Sequence, residues 1–536
     1  MNPVLTVLTV LTLLVAVTLV GVVARRVPVP APILLVATGL ALASWRAFPD
    51  VRLEPGLFFA LFLPPLLYAD GWLTNLREFR AALRPILLLA IGLVVATTVV
   101  VGYAVHALIP AIPLPVAFAL GAIVSPTDAV AVAAITERLR VPIRISTIVN
   151  GESLVNDATG LVAFKFALAA VVAGGFDPAR AAVEFARVAG GGLALGLAVG
   201  WISSQVRRRL ERFGESDAML EVTLSLLTPF AAYLPADQLG LSGVMAAVAA
   251  GLYNGWSDPI RMSAPTRATA WSVWSIVLFL LNGLVFLLLG LELPRIADAL
   301  AGEWWTALVA YAVVVSALVV LVRLLWVFPG AYLPRWLVPS IRRREPDPGW
   351  RGVFVVGWSG LRGAVTLAAA LSIPLALPGG EPFPGRALVI FLASSVILAT
   401  LLLQGLTLPH VICRLGVQDD GRQVEEEREA RLEVARAGLA PLRAPLDRSG
   451  VGSTELEAAA QLAAELEERV ERLAAEACEA SPAGERRRAE RAVRARSLAA
   501  QRERLVALYQ EGRINDEVLR RLQTELDAEE ARLAAV

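Results

Sequence analysis

Asp128 and Asp157 are the residues of this chain best suited to chemistry. They lie in two short polar runs, Ser125-Pro126-Thr127-Asp128 and Gly151-Glu152-Ser153-Leu154-Val155-Asn156-Asp157. Each run interrupts an apolar segment long enough to cross a membrane, where ionisable groups are costly and are usually kept for function. In the second run Glu152 with Asn156, and Ser153 with Asp157, are i,i+4 pairs, so a helix gathers all four groups on one side. The first run is built differently. Proline removes a backbone donor and clashes with the preceding turn, so unwound backbone is expected near Ser125 and Pro126. Such backbone is tolerated at membrane depth where it lines a cavity, and its free carbonyls can coordinate a cation. Asp128 beside those carbonyls, facing Ser153, Asn156 and Asp157, makes an oxygen-rich site that suits a hard monovalent cation or a proton.

Each of these residues has a plainer use. Asp157 could be a structural carboxylate, but its neighbours Ser153 and Asn156 are neutral and no adjacent cation is evident. Asp128 could cap the helix that follows the break. Glu152 needs a partner, and Arg323, inside the apolar run Leu318 to Phe328, needs one too. A buried Glu152–Arg323 ion pair with a structural role is expected, because separating such a pair strands a charge. Arg362 lies in another glycine-interrupted polar run, Gly357-Trp358-Ser359-Gly360-Leu361-Arg362-Gly363. It suits two uses equally, binding the carbonyls of an opposing half-helix or shaping the cation site electrostatically. Glu292 and Lys165 fall near predicted outer ends of spans, where snorkelling is the simpler account. His106 and His410 fall near opposite membrane surfaces.

The elements that position these groups follow from composition. Of 536 residues, 56% are hydrophobic and 18% charged, and mean hydropathy is +0.63, well on the apolar side of soluble proteins. Residues 1–417 carry a net charge of +7 and residues 418–536 a net charge of −6. The chain is therefore expected to divide into a transmembrane domain, 1–417, and a cytosolic helical regulatory tail, 418–536. Two cysteines, Cys413 and Cys478, encode no disulfide framework. Arg25 and Arg26 follow the first apolar run rather than precede it, which favours a retained helix over a signal peptide.

A span needs about 20 apolar residues. Thirteen candidates fall near 4–23, 29–44, 56–70, 85–108, 115–135, 147–172, 183–205, 218–234, 239–254, 271–293, 304–328, 351–376 and 386–412. Alternate loops divide the arginines nineteen to six, Arg46, Arg52, Arg180, Arg187, Arg295 and Arg386 being the minority. Positive charge collects on the cytoplasmic side, so the N-terminus is expected outside and the C-terminus in the cytoplasm. An odd count permits two inverted six-helix repeats, and the broken fifth and twelfth spans run in opposite directions. The expected fold is an all-α membrane protein of thirteen transmembrane helices with broken crossing helices. Gly192, Gly196 and Gly200 form a close-packing face, within one chain or between chains. In the tail, Glu455 to Glu476 and Arg486 to Arg504 read as helices, and Leu505 to Leu533 as a helical hairpin broken near Gly512.

With Leu-Val-Arg-Leu-Leu at 321–325, Gly-Leu-Arg-Gly-Ala at 360–364 and Leu63-Pro64-Pro65-Leu66-Leu67, the two runs around Asp128 and Asp157 resemble the monovalent cation:proton antiporter-1 family, the sodium/proton exchangers. The resemblance covers residues 5–412. It implies a core domain moving against a dimerisation domain, a homodimer in the inner membrane, and one-for-one electroneutral exchange associated with Asn156 preceding Asp157. It also implies cation ligands at Thr127, Asp128, Ser153 and Asp157. Potassium/proton exchange is the alternative within transport. A channel is another class, which the absence of proton counterflow would reveal. An intramembrane serine protease, prompted by Ser359, needs a histidine base at membrane depth. No phosphate loop or nucleotide motif occurs, so transport is expected to be secondary, with no cofactor beyond the transported ions and no nucleic-acid partner. The tail's effector is not encoded in any motif.

Overall fold

The computed structural model describes residues 3–443, 453–475 and 482–534, apart from 28, 46–47, 50–54, 174–177, 214–216, 301, 303, 346, 378, 418, 420, 512 and 514–515. Arg46, Arg52 and Gly512 therefore lie outside the described residues. Described structure is helical throughout, with one isolated bridge between Ala376 and Pro382. Eight helices are long and apolar enough to cross a membrane, and three shorter apolar helices, Ala31–Ser44, Phe59–Leu73 and Leu114–Ile123, join them. Their polar residues are mostly self-satisfied. Thr9, Thr12, Thr18, Thr38 and Thr98 each donate to the carbonyl four residues back, which removes an orphan donor from lipid.

Several boundaries differ from the hydropathy windows. The window 115–135 is two helices, Leu114–Ile123 and Ala129–Arg138, and 351–376 is likewise Trp350–Trp358 and Ala364–Leu371. The window 239–254 begins too early. Gly240 takes a left-handed turn at φ +68°, Ser242 caps the next helix through Met245 N–H at 3.2 Å, and that helix runs Gly243–Arg261. The third helix continues past Asp70 to Leu73.

Small residues decide how the helices meet. A Cβ on Gly196 would lie 2.1 Å from the Ala246 carbonyl oxygen, and one on Gly192 would lie 2.4 Å from that of Ser242. The glycine face at 192, 196 and 200 thus packs within the chain, against Gly243–Arg261. The opposite side of that helix meets Pro55–Leu73, where a Cβ on Gly251 would come within 2.2 Å of the Tyr68 carbonyl. Gly39 and Gly290 likewise bring Ala31–Ser44 and Ala264–Ala299 into backbone contact.

The chain divides into two compact units, Met1–Asp419 and Asp420–Val536. In the second, Arg422–Arg443 packs with Ser453–Ala475, and Pro482–Gln510 with Asp516–Ala534. The helix carrying Arg486 to Arg504 runs on to Gln510, so the second hairpin is formed by these two long helices rather than within Leu505 to Leu533. Leu498 and Leu505 supply its buried face.

Candidate functional site

Two chain breaks meet at the centre of the site. Ser125 to Asp128 separates one pair of half-helices and Ser359 to Gly363 the other. They are tied backbone to backbone, Asp128 N–H donating to the Leu361 carbonyl at 2.8 Å. A helix C-terminus leaves carbonyls unpaired and carries negative dipole, and a guanidinium meets both needs at each break. Arg362 Nε donates to the Val124 carbonyl at 2.9 Å, and its Nη1 donates to Gly360 O. Arg323 donates to the carbonyls of Gly357 at 3.0 Å and Val356 at 2.9 Å. Of the two uses open to Arg362, the geometry places it on the opposing half-helix.

Arg323 also holds Glu152. Its Nη2 donates to Oε2 at 2.8 Å, and its Nη1 donates to Oε1. Both side chains are fully enclosed. Thr127 Oγ1 completes the group, 3.4 Å from Glu152 Oε1.

Asp128 stands at the start of both second halves. Its Oδ1 accepts Val130 N–H at 2.9 Å, the helix-cap geometry. Its other oxygen presses on Gly363, where a Cβ would lie 1.6 Å away; only glycine leaves room for it. Two helix N-termini thus present positive dipole to one carboxylate.

The helix Ile143–Ala173 brings the remaining groups. Ser153 Oγ–H donates to the Thr127 carbonyl at 2.6 Å and accepts Ala129 N–H at 3.2 Å. Asn156 Nδ2 donates to Thr127 Oγ1 at 2.8 Å. The Thr127 hydroxyl is thereby engaged by Asn156 and Glu152, and what it offers a ligand is the second lone pair of its carbonyl oxygen. Asp157 is 5% exposed, and its Oδ1 is enclosed without a hydrogen-bond partner among the described residues.

A small cavity joins these groups, lined by Thr127, Asp128, Ser153 and Asp157. Asn156 does not line it. Asn156 was expected to face the ion; instead it props Thr127 from behind, because its i,i+4 partner is Glu152 rather than Asp157. The cavity adds residues that sequence reasoning missed, Asp70, Asn282 and Thr366. Asp70 carried a usable signal, being an acid within a helix that is otherwise apolar, but a span ended at 70 leaves it looking like a boundary residue. Among the described residues the three carboxylates do not form a cluster that would hold a resident metal ion.

The helix that carries Asp70 is tied to its neighbour by a second polar network, also missed. Tyr68 Oη accepts Asn254 Nδ2–H at 2.9 Å, and Trp72 Nε1–H donates to Asp258 at 3.0 Å, on either side of Asp70 along the helix. Asp258 pairs with Arg207 at 2.9 Å, both buried. Arg207 falls after the hydropathy window 183–205, yet it lies inside the helix Pro178–Arg212.

The other candidates lie apart. Lys165 pairs with Asp237 at 3.1 Å and Glu292 with Arg295 at 2.5 Å. Ser359 Oγ donates to the Val355 carbonyl at 2.7 Å. His106 Nδ1 is 2.8 Å from Ile112 O and His410 Nδ1 is 3.4 Å from Leu406 O, so neither serves Ser359 as a base.

The chain is 40% identical over 425 residues to the sodium, potassium, lithium and rubidium/H⁺ antiporter of Bacillus pumilus, covering 78% of this chain and 62% of that protein. It thus spans less than two thirds of that relative's length. It is 38% identical over 540 residues to the uncharacterized Na⁺/H⁺ exchanger YjcE of Escherichia coli, covering 96% and 97% of the two chains. Its fold is similar to that of the sodium proton antiporter MjNhaP1 from Methanocaldococcus jannaschii, with a TM-score of 0.58 at 17% identity, covering 77% of this chain and 99% of that one. The model of the transmembrane sodium/hydrogen exchanger family matches residues 10–413, most of the chain, and the protein belongs to that family of membrane-embedded secondary antiporters, which are not enzymes.

Proposed function

We propose that the protein exchanges Na⁺, or Li⁺, for H⁺ across the cytoplasmic membrane, with Asp157 as the group that the two ions share. The observation that carries this reading is the buried Asp157 oxygen without a partner, on a cavity shared with Asp128 and Asp70. Ser153 and the Thr127 carbonyl offer lone pairs to the cation, because the Ser153 proton is committed to Thr127. Glu152 takes no part in the cycle while Arg323 holds both its oxygens. One proton then leaves Asp157 as one cation binds, the loaded site carries equal charge in both states, and turnover is electroneutral. Cation and proton compete, so apparent cation affinity falls as pH falls through the titration of the site. In the rival cycle Asp128 or Asp70 protonates too, and transport becomes electrogenic.

The test is proton flux in proteoliposomes on addition of Na⁺, Li⁺, K⁺ or choline, repeated with the membrane potential clamped. Flux with Na⁺ and Li⁺, indifferent to potential, is the expected result. Acceleration by imposed voltage overturns one-for-one exchange, and flux with K⁺ alone overturns sodium as substrate. Potassium/proton exchange stands second, because potassium appears beside sodium in the names of some relatives.

The same reading takes the helices as thirteen membrane segments in two inverted repeats, with the N-terminus outside, and the chain as a homodimer. Arg84, Arg144 and Arg335 come from loops that charge alternation assigns to one side, and all three reach Glu345. Residues 418–536 are taken as a cytosolic tail that regulates rather than transports. Truncation after Val417 then leaves exchange measurable with a changed rate or pH dependence; total loss in a folded truncated protein overturns that role.

A further inference from the structure

A second cavity lies away from the cation site, between the beginnings of Leu83–Leu87, Ile143–Ala173 and Trp350–Trp358 and the end of Trp305–Leu337. Its floor is apolar, with Leu89, Ile148, Val327, Ala331 and Val353. Its rim is basic. Arg84 and Arg144 converge there on the Glu345 carboxylate, and Arg335 on its backbone carbonyl. Arg84 donates to both Glu345 oxygens, at 2.8 and 2.6 Å. Arg144 lies 3.7 Å away, and Arg335 donates to the Glu345 backbone carbonyl at 3.0 Å. The Arg84 hydrogen bonds, with the charges of Arg84, Arg144 and Arg335, hold the Glu345 carboxyl below its ordinary range against the opposing effect of burial. Glu345 therefore stays ionised near neutral pH, and Arg84 and Arg144 share its one carboxylate. Arg84 Nη1 is enclosed with no hydrogen-bond partner among the described residues.

The surroundings place this rim at a membrane surface. Leu83 and Leu87, on either side of Arg84, are 40% and 38% exposed, and Trp336 and Trp350 beside the rim are largely exposed. Exposed leucines suit acyl chains, and tryptophans favour the headgroup level. An apolar floor under a cationic rim at that level matches an amphiphile with a negative head. We propose that this cavity binds an anionic phospholipid, its phosphodiester on Arg84 and Arg144 and an acyl chain over Val327 and Ala331.

The proposal requires that the chain lie in a membrane but not that it exchange sodium, and binding is measured without transport. Delipidated full-length protein in detergent is titrated with phosphatidylglycerol, phosphatidylcholine and soluble glycerol phosphate, with bound lipid read by native mass spectrometry. Phosphatidylglycerol is expected to bind one per site and more tightly than phosphatidylcholine. Arg144→Gln should weaken it about fivefold, the effect of one surface cation, and Arg144→Lys should restore most of it. Gly330 lines the cavity, and a Cβ there meets nothing within 4 Å. Gly330→Ala should leave binding unchanged and Gly330→Phe should abolish it by filling the acyl space. Equal binding of phosphatidylcholine, undiminished phosphatidylglycerol binding in Gly330→Phe or in Arg144→Gln, or displacement of the lipid by equimolar glycerol phosphate each overturns the proposal. The last would identify a soluble anion as the occupant.

Discussion

Glu152 and Asp157 sit five positions apart on one helix and are both buried carboxylates, yet their surroundings are opposite. Glu152 has both oxygens on Arg323, with Thr127 alongside. Asp157 has an enclosed oxygen with no hydrogen-bond partner among the described residues, and it opens on a cavity. A buried carboxylate without a partner is expensive, and a paired one is expensive to separate. The difference teaches that pairing, not burial, divides the acids that hold this protein together from the acid proposed to exchange ligands. A third pair, Lys165–Asp237, is more than half exposed on both sides and marks the low end of the scale.

Asp157→Asn tests the comparison at its largest. It should abolish sodium-driven proton flux while leaving a folded protein with nearly unchanged melting temperature; substantial flux would remove Asp157 from the shared role. Next comes Glu152→Gln, expected to destabilise by roughly 3–5 kcal/mol because Arg323 is left buried without its counter-charge. Adding Arg323→Gln should recover part of that loss. Simple additivity in the double-mutant cycle, read by thermal unfolding, would mean that the two side chains do not act as a pair.

Gly363→Ala sharpens the comparison by moving a carboxylate without changing its chemistry. The new methyl would overlap Asp128, so the carboxylate must shift. Apparent Na⁺ affinity should fall about tenfold, or ~1.4 kcal/mol, in flux measured against Na⁺ concentration; an unchanged affinity would place Asp128 outside the cation's reach. The smallest effect belongs to Lys165→Ala. Exposed pairs contribute about 0–1 kcal/mol, so neither melting temperature nor flux should change measurably. A loss as large as that of Glu152→Gln would show that exposure does not set the scale.

Hydropathy and proline spacing by themselves determine that this chain is membrane-embedded, that it breaks at Ser125-Pro126 and again at Gly357 to Gly363, and that its acids at 128, 152 and 157 need an explanation. These are local properties: whether a segment prefers lipid, or can continue a helix, is settled within about twenty residues. Contacts between distant segments are not. Arg323 and Glu152 are 171 positions apart, and Arg362 and Val124 are 238. The sequence marks each as a group in need of a partner, and only the fold supplies one. Asp70 shows the limit most clearly. In the sequence it is an acid at the edge of an apolar window; in the structure it lines one cavity with Asp128 and Asp157, while Tyr68 and Trp72 on the same helix bond Asn254 and Asp258 of another. Asn156 shows the converse, a residue adjacent to Asp157 in sequence that faces away from the cavity, because successive helical positions are turned by 100°. Helical period tells which residues share a face; where the faces meet depends on contacts such as those at Gly71 and Gly251, where backbones close to within touching distance, and at Gly363, which leaves room for the Asp128 carboxylate.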